Sequence, residues 1–173
     1  MSRKTDIKNV MLSSRRMTTM TITEELRQQA TDCGAEVVDW KFETSTIKGL
    51  YCNGIIAISK DIKTSAEEAS VLAEEIGHHL TASGTIIDQS SVESRKQELK
   101  GRAWAYDRLI GLSGIVKAYQ AGCKSRYEIA DFLQVDEATL QDAINYYHNK
   151  YGPYVDVNGY TVCFEPLGIM TAI

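Results

Sequence analysis

The sequence predicts an α+β domain in which a small, mostly antiparallel sheet packs on one central helix and the C-terminal half is helical. Two observations support this fold class. Runs of β-forming residues on either side of an Asn-Gly pair precede residue 60, whereas capped segments with helical periodicity follow it. The first of these helical segments has apolar residues on two sides, which is typical of a buried helix.

Length and composition indicate one soluble domain. The chain has 173 residues and a formal net charge of -4, which argues against a general nucleic-acid binder. Residues 1–20 are predicted to be a flexible basic extension, and residues 21–173 a single domain. The four cysteines are far apart and are expected to be reduced thiols. Because no apolar run of about 18 residues and no signal peptide are recognisable, we expect a cytoplasmic protein with no membrane contact.

The elements before the central helix are a short helix and the strands of the sheet. The helix ends at about Cys33, and residues 37–42 read as a strand. Residues 50–58 predict a hairpin, since Asn53-Gly54 between β-formers is a strong signal for a two-residue turn.

The central helix begins at Thr64 or Ser65, each of which stands three residues before a glutamate as in a capping box. A second long helix is predicted over residues 92–112. Shorter helices follow within a helical part at about 113–152, and residues 154–164 alternate around a second Asn-Gly pair and predict a terminal hairpin.

The central helix contains the residues that indicate chemistry. Glu74 and His78 are i and i+4 neighbours, so both can bind one ion, and Glu75 stands beside them as a candidate general base. This is the zinc-peptidase pattern H-E-x-x-H with glutamate in place of its first histidine. Zinc needs a third protein ligand from another element, and Glu98 on the next helix supplies a candidate. The alternative is that these glutamates form a solvated acidic face.

A second register of the same pattern is available, because Glu75 and His79 are also i, i+4 neighbours. It lies closer to the apolar stripe of the helix, so we rank it lower. His79 is better interpreted as a group that supports the ligands or contacts the substrate, with a role as alternative ligand left open. His148 stands on a different helix and is interpreted as a surface residue.

Five segments carry a resemblance to a known family, and two of them, residues 122–130 and 147–152, resemble the C-terminal part of its members. Residues 71–80 (VLAEEIGHHL), with residues 47–51 before them, resemble the ImmA/IrrE family of small metallo-endopeptidases, whose phage and mobile-element branch often has E-E-x-G-H-H where others have H-E-x-x-H. Residues 96–105 resemble the third-ligand helix of that branch, E-x-x-A-R-x-[FW]-A, except that Gly101 replaces the usual alanine. The likeness extends over roughly residues 22–168.

The resemblance implies a zincin-like fold, a bound Zn²⁺ and cleavage of a helix-turn-helix repressor protein of phage type. Glu74 makes the predicted site rich in carboxylates, so Mn²⁺ or Fe²⁺ would also suit it. The extra negative charge also weakens the polarising power of the ion. The alternative function is therefore a catalytically weak or inactive relative that acts as a protein-interaction or regulatory module.

The segment from Ser125 to Tyr147 offers a rival interpretation, because its apolar spacing is that of a helix-turn-helix. Its second helix begins with Asp136 and Glu137 and has no basic residue before Lys150. Since affinity for DNA comes mostly from Lys and Arg, specific DNA binding is not expected.

Overall fold

The structure is a computed structural model that describes residues 20–81 and 92–171. It contains both helices and strands, which confirms the α+β class. The helices are α1 (Ile22–Asp32), α2 (Ser65–Thr81), α3 (Val92–Leu109), α4 (Gly111–Gln120), α5 (Arg126–Leu133) and α6 (Glu137–Tyr151). The strands are β1 (Glu36–Trp40), β2 (Gly49–Cys52), β3 (Ile55–Ser59), β4 (Tyr154–Val157), β5 (Tyr160–Phe164) and β6 (Leu167–Thr171). The basic extension predicted at residues 1–20 lies outside the described residues except for Met20.

The first sheet differs from the prediction in the direction of one strand. Its order is β1-β3-β2, with β1 parallel and β2 antiparallel to β3, so this sheet is mixed and not mostly antiparallel. The predicted turn at Asn53-Gly54 is confirmed, and both residues have the positive φ that such a turn requires. Strand β2 of the hairpin occupies one edge of β3, so β1 pairs with the other edge. The connection between β1 and β2 allows β1 to run parallel to β3.

The second sheet is entirely antiparallel, in the order β4-β5-β6. The hairpin predicted around Asn158-Gly159 is confirmed. Strand β6 was not predicted; it follows a turn at Glu165-Pro166 and adds to the free edge of β5. This sheet packs on α6, where Phe164 contacts Tyr147, whose ring is fully buried and whose hydroxyl donates a hydrogen bond of 2.9 Å to Asp107.

Helix α2 lies at the centre of the fold. Its buried residues Leu72 and Ile76 pack with Ile56 and Ile58 from the inner face of the first sheet, as the apolar stripe predicted. Leu80, the third residue of that stripe, is 43% exposed because it lies in the last turn of the helix.

A hydrogen bond at the start of α6 connects the helical part to α2. Ser70 on α2 donates a hydrogen bond of 2.9 Å to Asp136, which also caps α6 by accepting from the backbone N–H of Thr139. The long helix predicted over residues 92–112 ends instead at Leu109, because Gly111 adopts a φ of +54° and turns the chain into α4.

Candidate metal centre

The candidate site is built where α2 and α3 cross at unusually close range. A Cβ atom added to Gly77 would lie 2.2 Å from the carbonyl oxygen of Gly101, so the two backbones touch with no side chain between them. A Cβ atom on Gly101 would lie 2.9 Å from Nδ1 of His78. The alanine that is usual at this position in the ImmA/IrrE pattern would therefore displace the His78 ring. Glycine at both positions permits the crossing.

This crossing brings the three predicted ligands together. Glu74, His78 and Glu98 each offer an atom suited to a metal ion, and these atoms all lie within 4.8 Å of one another. Nε2 of His78 is 3.4 Å from Oε2 of Glu98. His78 is the least accessible of the three, with 15% of its side chain exposed, against 37% for Glu74 and 41% for Glu98. The group therefore opens to solvent on its carboxylate side.

The spacing of these atoms fits a metal ion. Two ligand atoms of a tetrahedral zinc ion are about 3.3–3.5 Å apart, which matches the separation between His78 and Glu98. The ligand atom of Glu74 lies within 4.8 Å of the other two. Two carboxylates and one imidazole form a donor set suited to Zn²⁺, Mn²⁺ or Fe²⁺.

Arg102 is a member of the site that the sequence interpretation did not include. Its Nε lies 3.0 Å from Oε1 of Glu74, and one terminal nitrogen lies 2.8 Å from Oε1 of Glu98. Burial opposes the charge of Arg102, but the carboxylates of Glu74 and Glu98 outweigh it and raise the pKa of the guanidinium. The signal for this contact was present in the sequence, since Glu98 and Arg102 are i, i+4 neighbours.

Glu75 lies between α2 and strand β2, with its carboxylate beside Gly49. A Cβ atom on Gly49 would lie 2.6 Å from Oε1 of Glu75, so the glycine makes room for this carboxylate. Burial and, secondly, the neighbouring Glu74 raise the pKa of Glu75 to about 7. A hydrogen bond from the backbone N–H of Tyr51 acts in the opposite direction. An acid with a pKa near neutrality is well suited to accept a proton.

The structure does not bring His79 to the three ligand atoms. Its Nδ1 lies 3.2 Å from the hydroxyl of Tyr51 and its Nε2 lies 3.0 Å from the carbonyl oxygen of Cys33. The rings of His79 and Tyr51 meet edge to face. His79 thus connects α2 to the sheet and to the end of α1. His148, on α6, lies 3.5 Å from Glu165 and is remote from the site in the chain and in its contacts.

A cavity of about 230 Å³ adjoins the carboxylate side of the site. Glu74 and Arg102 line it together with other residues of α2, α3 and α6 and with Lys48, which precedes β2; Glu67 and Asp142 are among them. Lys48 is ion-paired with Glu67. The cavity therefore borders the candidate site at Glu74 and Arg102.

Comparisons with known proteins leave the family interpretation as a proposal. No protein-family model, no curated protein and no solved structure matches the chain. Within the part of the chain that the structure describes, none of the helices has the length and apolar character needed to cross a membrane.

Proposed function

We propose that this protein is a metal-dependent endopeptidase with a zincin-like fold. The observation that carries the proposal is the convergence of Glu74, His78 and Glu98 to within 4.8 Å of one another, with Glu75 beside them on α2. The three are the ligands, and zinc is the preferred ion, with manganese or iron also compatible with the carboxylates. When bound, the ion supplies a Lewis acid that polarises the scissile carbonyl.

Glu75 performs the proton transfers. Its carboxylate takes a proton from the attacking water and delivers it to the nitrogen of the leaving amine, as a general base and then a general acid. Partial burial and the adjacent Glu74 favour the protonated form, which suits the second of these steps. Tyr51 and Gly49 hold this carboxylate at the edge of the sheet, one residue away from the ligand Glu74.

Strand β2 supports an extended peptide substrate. Among the residues that the structure describes, it pairs only with β3 and so lies at the edge of its sheet, and it borders Glu75. A free strand edge can bind a peptide as an additional strand through its backbone groups. The substrate class therefore is a protein segment in extended conformation. By the family resemblance we propose a phage-type helix-turn-helix repressor as the protein that contains it.

The test combines metal analysis with one substitution. Protein purified without added metal is expected to contain close to one transition-metal ion per chain, and Glu75→Gln should retain that ion while cleavage of the substrate falls by about a hundredfold or more. His78→Ala is the matched control, because it should lose the metal and the activity together. Metal-free wild-type protein that still cleaves, or a fully active Glu75→Gln variant, would contradict the mechanism.

A second candidate function is favoured by the ion pairs of Arg102. This guanidinium already balances part of the charge on Glu74 and Glu98, so the fold can keep these carboxylates without a metal. Under this alternative the protein is an inactive relative that binds its partner. Pull-down of the candidate repressor would then recover it uncut, equally with and without a chelator, and His78→Ala would bind it as well as wild type.

A further inference from the structure

The charge of the candidate metal centre poses a problem that the histidine version of the motif does not have. Two histidines and one glutamate around a divalent ion carry a net charge of +1. With Glu74 in place of the first histidine, the ion and its ligands are neutral. A neutral centre polarises a carbonyl group less strongly, so a working peptidase with this ligand set needs positive charge from another source.

Arg102 is placed to provide that charge. It comes from α3, one helical turn after Glu98, and its guanidinium spans the gap between the two carboxylates. It uses Oε1 of Glu74 and Oε1 of Glu98, which leaves Oε2 of Glu98 directed at His78. The guanidinium of Arg102 and a bound metal ion can thus share the carboxylates, because each contacts a different oxygen atom of Glu98.

We propose that Arg102 is a charge-compensating positioning residue, which restores the net charge of +1 lost by placing Glu74 at the first ligand position. This inference rests on the proposed function and deepens it. With Arg102 included, the sum is +2 from the ion, -2 from the two carboxylates and +1 from the guanidinium. Arg102 does not touch the reacting atoms in this scheme; it acts through Glu74 and Glu98.

The proposal has a consequence that separates it from an orienting role. A fixed positive charge a few ångströms from a divalent cation repels that cation, so Arg102 weakens metal binding while it strengthens the polarising effect. If Arg102 only oriented the carboxylates by its two hydrogen bonds, removing it would weaken metal binding, as loss of such supporting groups usually does. The sign of the change in affinity therefore decides between the two roles.

The matched control is Arg108, on the same helix. It also forms an ion pair and a side-chain hydrogen bond, with Glu25 and Gln29 of α1, but it does not contact the ligands. Arg108→Gln and Arg102→Gln remove the same charge from the protein as a whole. A difference between them is then due to the position of Arg102.

The experiment measures the Kd for Zn²⁺ of the full chain by competition with a chromophoric chelator, at one salt concentration. Arg102→Gln is expected to bind Zn²⁺ at least about tenfold more tightly than wild type, and Arg102→Lys, which keeps the charge but not the two-pronged geometry, to stay within about threefold. Arg108→Gln should match wild type. Peptide cleavage by the zinc-loaded Arg102→Gln variant should be slower despite the tighter binding.

The outcomes separate this inference from the proposed function. Wild type that binds Zn²⁺ while Arg102→Gln binds it equally or more weakly overturns the charge-compensating role and leaves the metal centre standing. Binding by Arg102→Gln alone overturns both the charge-compensating role and the proposed function, because the wild-type site would then hold no ion whose charge Arg102 could compensate. Absence of binding in both proteins overturns the metal centre and the role of Arg102 together.

Discussion

Helix α2 carries two Glu–His pairs, one residue apart in the sequence, and the structure uses them in opposite ways. Glu74 and His78 face α3, where Glu98 and Arg102 meet them at a solvent-accessible site. Glu75 and His79 face the first sheet, where Tyr51 contacts both. The comparison teaches that i, i+4 spacing alone does not define a metal site. The neighbouring element decides which pair has a third ligand beside it and which pair contacts the sheet.

The largest effect on stability is expected from a substitution that moves α3 away from Glu74 and His78. Gly77→Ala places a Cβ atom 2.2 Å from the backbone of Gly101, which cannot move as a side chain can, so the helices must shift apart. We expect a loss of about 3 kcal/mol in the free energy of unfolding, measured in urea, and weaker metal binding.

Gly114→Ala is the control for that substitution. It lies inside α4, where a Cβ atom would meet only the side chain of Leu133, at 3.2 Å. Because alanine also favours the helix, the free energy of unfolding should change by less than about 1 kcal/mol. Equal stability of the two variants would show that α2 and α3 do not touch at Gly77.

An intermediate effect is expected from Glu75 of the second pair, which should make the free energy of unfolding depend on pH. In metal-free protein the pKa of Glu75 is about 7, against 4.5 as its ordinary value, so between these pH values the folded state holds a proton that the unfolded state releases. The free energy of unfolding should therefore fall as pH rises from about 4.5 to about 7 and show no further loss from this group above that.

Thermal unfolding in the presence of a chelator measures this loss. Because Glu75 is partly exposed, we expect the difference between wild type and Glu75→Gln to change by about 2 kcal/mol across that pH range. A constant difference at all pH values would mean that the folded state does not perturb this carboxyl group.

The smallest effect is expected from His79→Phe. The substitution keeps a ring against Tyr51 but removes the hydrogen bonds to the Tyr51 hydroxyl and to the carbonyl oxygen of Cys33. The free energy of unfolding should fall by about 1 kcal/mol, and the Kd for Zn²⁺ should stay the same. Titration of the variant with Zn²⁺ tests which of the two Glu–His pairs binds the ion. Loss of binding would identify Glu75 and His79 as the ligands.

Local signals explain what the sequence predicted correctly. Both hairpins follow from Asn-Gly pairs, whose backbone preference is set by two residues. The position of Glu98 near His78 was also predictable, because α2 was predicted to be buried and the long helix that follows it was available to cover it. The break at Gly111 was missed because a single glycine inside a helical pattern is often tolerated.

Features that depend on distant partners were not predictable in the same way. The parallel pairing of β1 with β3 requires a strand to bypass its nearest neighbour, and no residue of β1 encodes this choice. The contact of Arg102 with Glu74 joins residues 28 positions apart and depends on the two glycines that let the helices approach. The Glu98–Arg102 pair was visible in the sequence as i, i+4 neighbours, but its contact with Glu74 was not.

The glycine crossing also bears on the rigidity of the candidate centre. Because α2 and α3 touch through backbone atoms at Gly77 and Gly101, the main chains that carry His78 and Glu98 are held at a fixed separation. Any adjustment of the site to a bound ion would therefore come from rotation of side chains, and mainly from the two glutamates, which are more exposed than His78.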